Sequence, residues 1–146
     1  MRARLFMAAV LLAASLVGLT VATAAPAAAV GCWGDYCSGQ DPESTGCSAD
    51  AYTLAADESY GTGAYVELRW SPTCKTEWAR VPRNNWPGGD SLGVIQSTGY
   101  SQGYSNQNAY YVWSKMIYSP KLCVYAWWRD YSSPGTLWDY AQTSCV

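Results

Sequence analysis

Six cysteines constrain this chain more than any other feature. They are Cys32, Cys37, Cys47, Cys74, Cys123 and Cys145, and three of them fall within the stretch GCWGDYCSGQDPESTGC, Gly31 to Cys47. All of them follow a leader, MRARLFMAAVLLAASLVGLTVATAAPAAAV, which has Arg2 and Arg4 as a short positive start, an apolar run from Leu5 to about Val21, and an A-x-A-like site at Ala27-Ala28-Ala29. That organisation is a secretory signal peptide, short for a membrane span and dissolving into Ala and Pro before any charged stop. Cleavage is expected near Ala29–Val30, with Ala24–Ala25 as the other candidate bond. The expected organisation is therefore a signal peptide over 1–29 and one secreted domain over 30–146.

An even number of cysteines in an oxidising compartment predicts disulfides. Zinc is the chemical rival. The chain has no histidine, however, and the four residues between Cys32 and Cys37 do not match the two-residue gap of zinc knuckles. The redox spacing C-x-x-C is absent as well. Six cysteines allow fifteen pairings, among which spacing does not choose. The working expectation is Cys32–Cys37, Cys47–Cys74 and Cys123–Cys145, with no metal and no cofactor.

Without the leader about 117 residues remain, enough for one domain with a modest core that gains from covalent staples. Of 9 Lys+Arg, the leader removes two, leaving 7 against 11 Asp+Glu and a net charge near −4. Nothing basic clusters, which argues against nucleic acid and against an anionic membrane surface as partners. The aromatic usage is unusual. The sole phenylalanine, Phe6, sits in the leader, while the rest of the chain carries eight Trp and twelve Tyr. Both residues combine an apolar body with a polar tip. Trp70, Trp78 and Trp113 are expected in the core, but twenty such rings exceed what one small core holds, so some must face solvent.

Alternation along the chain predicts strands. AYVELRWS places Val66, Leu68 and Trp70 on one face and Tyr65, Glu67 and Arg69 on the other. Ala51–Ala55 reads as its hairpin partner across a turn at Ala56–Gly63. Thr76–Val81 is a short strand or one helical turn, Val81–Ser91 a long turn, Leu92–Gln96 a strand and Ser97–Asn108 a polar loop. Ala109–Tyr118 alternates again, with Tyr111, Trp113 and Ile117 on one side. Leu122–Asp130 is a further strand, SSPG turns the chain, and Cys145 is placed to staple the end of LWDYAQTSCV. The expected fold is mostly β: a small disulfide-stapled antiparallel sandwich or barrel.

The motif Cys32-x-Gly34-x-x-Cys37-x-Gly39-x-Asp41-Pro42, then Gly46-Cys47, Val66-Glu67-Leu68-Arg69-x-Ser71-x-x-Cys74 and Trp78-Ala79-Arg80, resembles the YjfA-like family of small secreted proteins of Gram-positive bacteria. The resemblance is detailed from Cys32 to about Val81 and looser beyond. It implies no catalytic residues. Some relatives look like adaptor subunits of secreted, lectin-bearing toxin particles of filamentous actinobacteria, joining one partner through the globular domain and another through an extended N-terminal segment.

The residues themselves point to binding rather than catalysis. Without histidine there is no Ser-His-Asp or Cys-His arrangement. A carboxylate pair for glycoside hydrolysis has candidates in Glu67 with Glu77 or Asp35 with Asp41, and Asp35, Asp41 and Glu43 in a Gly-rich loop offer hard oxygens for calcium without matching a known loop spacing. GYSQGYSNQNAYYVW, Gly99 to Trp113, mixes rigid rings with adaptable hydrogen-bonding groups in the manner of a paratope. Trp127 and Trp128 are adjacent, so in a strand one must leave the core. The candidate binding residues are thus Trp33, Trp86, Tyr100, Tyr104, Tyr110, Trp127 and Trp128. Trp78, Arg80 and Asp41 read as structural, with Trp78 in the core and Arg80 covering it or pairing with a carboxylate such as Asp41. The expected function is a non-enzymatic adaptor or accessory subunit for another secreted protein. The alternatives are a glycan-binding module and, third, a small carboxylate-based hydrolase.

Overall fold

The computed structural model describes residues 29–83, 91–133 and 136–146, with the side chains of 132 and 133 excepted. Two antiparallel sheets face each other. The first is built from β1 (Tyr52–Glu58), β2 (Tyr65–Ser71), β3 (Thr76–Pro82), β7 (Tyr111–Ser114) and β6 (Tyr104–Gln107), in the order β1-β2-β3-β7-β6, with β8 (Ile117–Tyr118) pairing further along β3. The second has the order β10-β9-β4-β5, from β4 (Ser91–Gln96), β5 (Ser101–Gln102), β9 (Val124–Ser133) and β10 (Thr136–Gln142). The fold is the expected mostly β, disulfide-stapled antiparallel sandwich. A single residue, Gly103, separates β5 from β6, so the chain passes from one sheet to the other at that corner.

The alternation of β2 decides where the core lies. Val66 and Leu68 point inward and meet Ala79 and Val81 of β3, Val112, Ile117, and from the opposite sheet Leu92, Val94, Val124, Ala126, Trp128 and Ala141. Removing this apolar surface from water is the main favourable term of folding. A second, smaller cluster lies on the outer side of the first sheet, where Trp78, Trp113 and Met116 pack with Cys37, Cys47 and Cys74. The N-terminal segment forms its roof through two short 3-10 turns, Gly34–Cys37 and Cys47–Asp50. The centre of the first sheet, at β3 and β7, is therefore buried on both faces, while its outer strands β1 and β6 stay largely exposed.

That two-sided burial corrects several expectations. Thr76–Val81 lies within a full central strand, because both its faces have cover and both its edges have partners. Ala109–Tyr118 is not one alternating strand. It breaks at Lys115 and Met116, whose amides bond to Gly103 O and Gln40 O at 2.9 Å each. The break puts Trp113 in the outer cluster and Ile117 in the main core, so the two do not share a side. At the same irregularity the Ala79 amide donates to the Ser114 hydroxyl at 3.0 Å. The polar stretch Ser97–Asn108 is a loop only in part, since it contains β5 and β6, two edge strands whose ladder bonds come from their neighbours. Trp70 is half-buried at the end of the sandwich.

Disulfides join Cys32 to Cys37, Cys47 to Cys74 and Cys123 to Cys145. The first two bonds tie the roof together and then to the β2–β3 turn. The third ties the start of β9 to the end of the chain, where Val124 and Val146 exchange backbone hydrogen bonds.

Candidate functional site

The outer face of the second sheet brings the exposed Trp138 and Tyr140 of β10 beside the half-buried Trp127 of β9. This grouping arises from two local departures. On β9, Trp128 points inward and is fully buried, so its neighbour Trp127 points outward. Trp128 is thus a core residue and not a binding-surface one. Its place opposite Leu92 on β4, on the same face as Val94 and Ala126, decides which of the two indoles the core takes. The position facing Trp127 on β4 is Gly93. A Cβ there would lie 2.8 Å from the Trp127 ring and 2.5 Å from Gln102 O, so only glycine lets the indole lie against the sheet. The Arg129 guanidinium stacks over the same ring, 4.9 Å from its centroid, a cation–π arrangement.

On β10 the buried residue is an acid. Asp139 accepts hydrogen bonds from the Thr62 hydroxyl (2.7 Å), the Thr62 amide (2.8 Å) and the Gly61 amide (3.3 Å) of the β1–β2 turn, and from the Tyr140 amide (2.9 Å). Those bonds hold Asp139 inward and leave Trp138 and Tyr140 outward, with Trp138 68% exposed at a register shift between Leu137 and Asp139. Tyr140 pairs with Arg129, which sets it diagonally across from Trp127. A cavity of about 200 Å³ runs between Trp127, Arg129 and Tyr140, lined also by Tyr131, Leu137 and Gln142, while Trp138 stands outside its lining. Among the described residues this cavity is lined by apolar rings and aliphatic groups around the Arg129 guanidinium.

Asp139 carries a pH prediction. Burial pushes its carboxyl up, but the Thr62 and Ser59 hydroxyls and the Thr62 and Tyr140 amides outweigh it and bring it to about 2, from an ordinary 3.8. A depressed folded-state value contributes stability that is fully present above the unfolded value and is lost as pH falls towards the folded one. The midpoint of thermal unfolding should therefore decline between about pH 4 and pH 2. Asp139→Asn should be less stable at neutral pH and show a flatter profile across that window, measured by circular dichroism melts.

The other candidates are dispersed. Tyr100 lies in the β4–β5 turn, where its hydroxyl accepts from Gln102 Nε2. Tyr104 is on the edge strand β6 and Tyr110 is in the β6–β7 turn, both exposed. Trp33 stands on the roof, 67% exposed, with Lys75 Nζ 5.8 Å from its centroid. Trp86 lies outside the described residues. Trp78 is buried in the outer cluster. Arg80 does not pair with Asp41. It donates to Glu67 Oε2, its cross-strand partner, and stacks 4.2 Å from the Tyr111 ring. Asp41 instead pins the roof to the sheet. Its Oδ1 accepts from the Glu43 and Ser44 amides, and its Oδ2 accepts from Ser105 Oγ (2.7 Å) and Trp113 Nε1 (2.9 Å). Burial acts to raise that carboxyl, and these donors outweigh it and hold it below the ordinary value.

The acids considered for catalysis or calcium do not converge. Glu67 faces Arg80 on the outer side of the first sheet, whereas Glu77 faces inward beside Trp70. Asp35 accepts from Ser38 and Glu43 from Ser48. The four sulfurs of Cys32, Cys37, Cys47 and Cys74 do lie within 4.8 Å of one another. Chain spacing gave no sign of this, because Cys74 arrives from the β2–β3 turn. As two bonded pairs they carry no thiolate for a metal.

Residues 35–127 match the model of a family described as protein of unknown function (DUF2690). That span is more than half of the chain. The chain belongs to the DUF2690 family. No curated protein and no solved structure matches it. The span matched in this DUF2690 chain runs from the roof through to Trp127, and leaves Trp138 and Tyr140 beyond its end. Trp138 and Tyr140 were missed in the sequence because LWDYAQ reads most simply with Trp inward and Asp outward. The available signal was the strict alternation of Trp138, Tyr140 and Gln142, read in the opposite phase.

Proposed function

We propose that the protein is a secreted, non-enzymatic binding module that docks another secreted protein through the outer face of its four-stranded sheet, as an adaptor or accessory subunit. The observation that carries this reading is the Trp127–Arg129–Tyr140–Trp138 platform on a disulfide-held scaffold. Trp, Tyr and Arg are the residues that dominate binding energy at protein interfaces, and rings fixed on strands lose little conformational freedom on binding. Three disulfides, together with a leader of the secretory kind, favour an extracellular setting. The resemblance to YjfA-like proteins, some of which look like toxin-particle adaptors, agrees with this role.

Glycan binding is the second reading, favoured by the exposure of the Trp138 and Tyr140 rings, which suits stacking on sugar faces. Pull-down from culture supernatant with the tagged domain separates the two. The adaptor reading expects a stoichiometric protein partner whose recovery drops about tenfold or more with Trp127→Ala and Trp138→Ala together, the loss of one hot spot or more. Retention on insoluble polysaccharide, lost in the same variant, would favour the second reading instead. Binding that ignores this variant but is lost with Tyr104→Ala and Tyr110→Ala would move the site to the edge of the first sheet.

A further inference from the structure

The sandwich has an open end with an acid in its base. Along β3, the positions that face the other sheet are Glu77, Ala79 and Val81, so Glu77 occupies a core position. It is 4% exposed, and its Oε2 has no hydrogen-bond partner among the described residues. Above it lies a cavity of about 310 Å³ whose walls include Leu54, Trp70, Leu122 and Val146, with Lys121 also lining it. A buried polar atom without a partner is costly. An aliphatic residue here would close the core, so the acid and the opening beside it are left to be accounted for together.

We propose that this pocket receives a lysyl side chain of a partner protein, its ammonium meeting the Glu77 carboxylate and its alkyl stem lying along Trp70, Leu54 and Leu122. The chemistry is complementary at each level. An ammonium supplies both the charge and the donors that Oε2 lacks. A Trp at the wall favours a cation, and the aliphatic walls cover a four-carbon stem. The site is separate from the ring platform of the second sheet, and its test stands whether or not that platform binds anything.

Desolvation alone pushes the Glu77 carboxyl up to about 9, so it is neutral at pH 7. The groups facing it from β2 and β8 are Trp70 and Ile117, neither titratable in this range. The charged side chain beside Glu77 in the cavity lining is the exposed Lys121, and Cys123 is bonded to Cys145. Binding a cation therefore requires Glu77 to release its proton, which links affinity to pH.

The probe is N-acetyl-lysine methylamide, titrated into the native oxidised protein and followed by the indole NMR signal of Trp70. Affinity is expected to rise nearly tenfold per pH unit between pH 7 and pH 8.5. The N-acetyl-norleucine analogue, which lacks the ammonium, should bind at least tenfold more weakly. Glu77→Gln keeps the shape and neutrality of the protonated acid, so it should fold with an unchanged or higher melting temperature while losing both the affinity and its pH slope. Equal binding of the norleucine analogue, a flat pH profile, or full binding by Glu77→Gln would overturn the proposal. So would tighter binding of N-acetyl-glutamate methylamide abolished by Lys121→Ala, which would make the pocket an anion site.

Discussion

Replacing Trp128 by alanine is expected to destabilise the domain by about 3–5 kcal/mol, the range for removing a buried aromatic. The indole is fully buried among Leu92, Val94, Val66 and Leu68, where the two sheets meet, so neither sheet can collapse into the gap without losing register. Total stability for a domain of this kind is roughly 5–15 kcal/mol, and the variant should approach the point of failing to accumulate. Urea unfolding should show a lower midpoint with an unchanged slope. Trp127→Ala, one residue earlier on the outer face, should cost well under half as much and leave the fold intact. The contrast is decisive for the proposed site. If Trp127→Ala proved the more destabilising of the two, the outer indole would be serving packing rather than recognition.

That contrast was half legible in the sequence. Adjacent strand residues must point to opposite faces, so one of Trp127 and Trp128 had to be exposed, but the phase depends on β4. Gly93 sits opposite Trp127 and has no side chain to compete with the indole, while Leu92 takes the inward place beside Trp128. β2 was legible outright, because Val66 and Leu68 alternate with Glu67 and Arg69 and the polar face has its own partners in Thr53 and Arg80. β3 was not. With the disulfide roof on one side and the second sheet on the other, TEWARV buries both of its faces, and an inward glutamate cannot be told from an outward one by period. β10 was misleading for a different reason. The donors that draw Asp139 inward sit on Gly61 and Thr62, some seventy-seven residues earlier in the chain, so no local pattern carries them. β5 and β6 lack alternating apolar residues altogether and exist because neighbouring strands offer unpaired ladder groups. The exposed rings were thus countable in advance, while their assembly into one platform depended on contacts distant in sequence.

Removing the Cys47–Cys74 bond by a double alanine substitution is expected to be the other large loss, for two reasons that add. The bond closes a loop with a sequence separation of 27, and constraining a loop of that length in the unfolded chain contributes about 3.5 kcal/mol in the chain-entropy model. Both sulfurs are also buried in the outer cluster beneath the roof, against Trp78, Trp113 and Met116, so their removal leaves space that the roof must fill by shifting. A melting temperature lowered by about 10–20 °C follows from such a loss in a domain of this size. Cys32→Ala with Cys37→Ala should cost clearly less, since that bond closes a separation of 5 and Cys32 is only half-buried. The roof should come away first in the Cys47/Cys74 variant. Asp41 would then release the Trp113 indole, and the change should be visible as a red-shift and quenching of tryptophan emission below the main unfolding transition. Binding through the second sheet should survive at temperatures where the roof is already open, because Trp127, Tyr140 and Trp138 are held by β9 and β10 and owe nothing to that bond. Loss of partner binding in step with the roof would instead place the recognition surface on Trp33 and its surroundings.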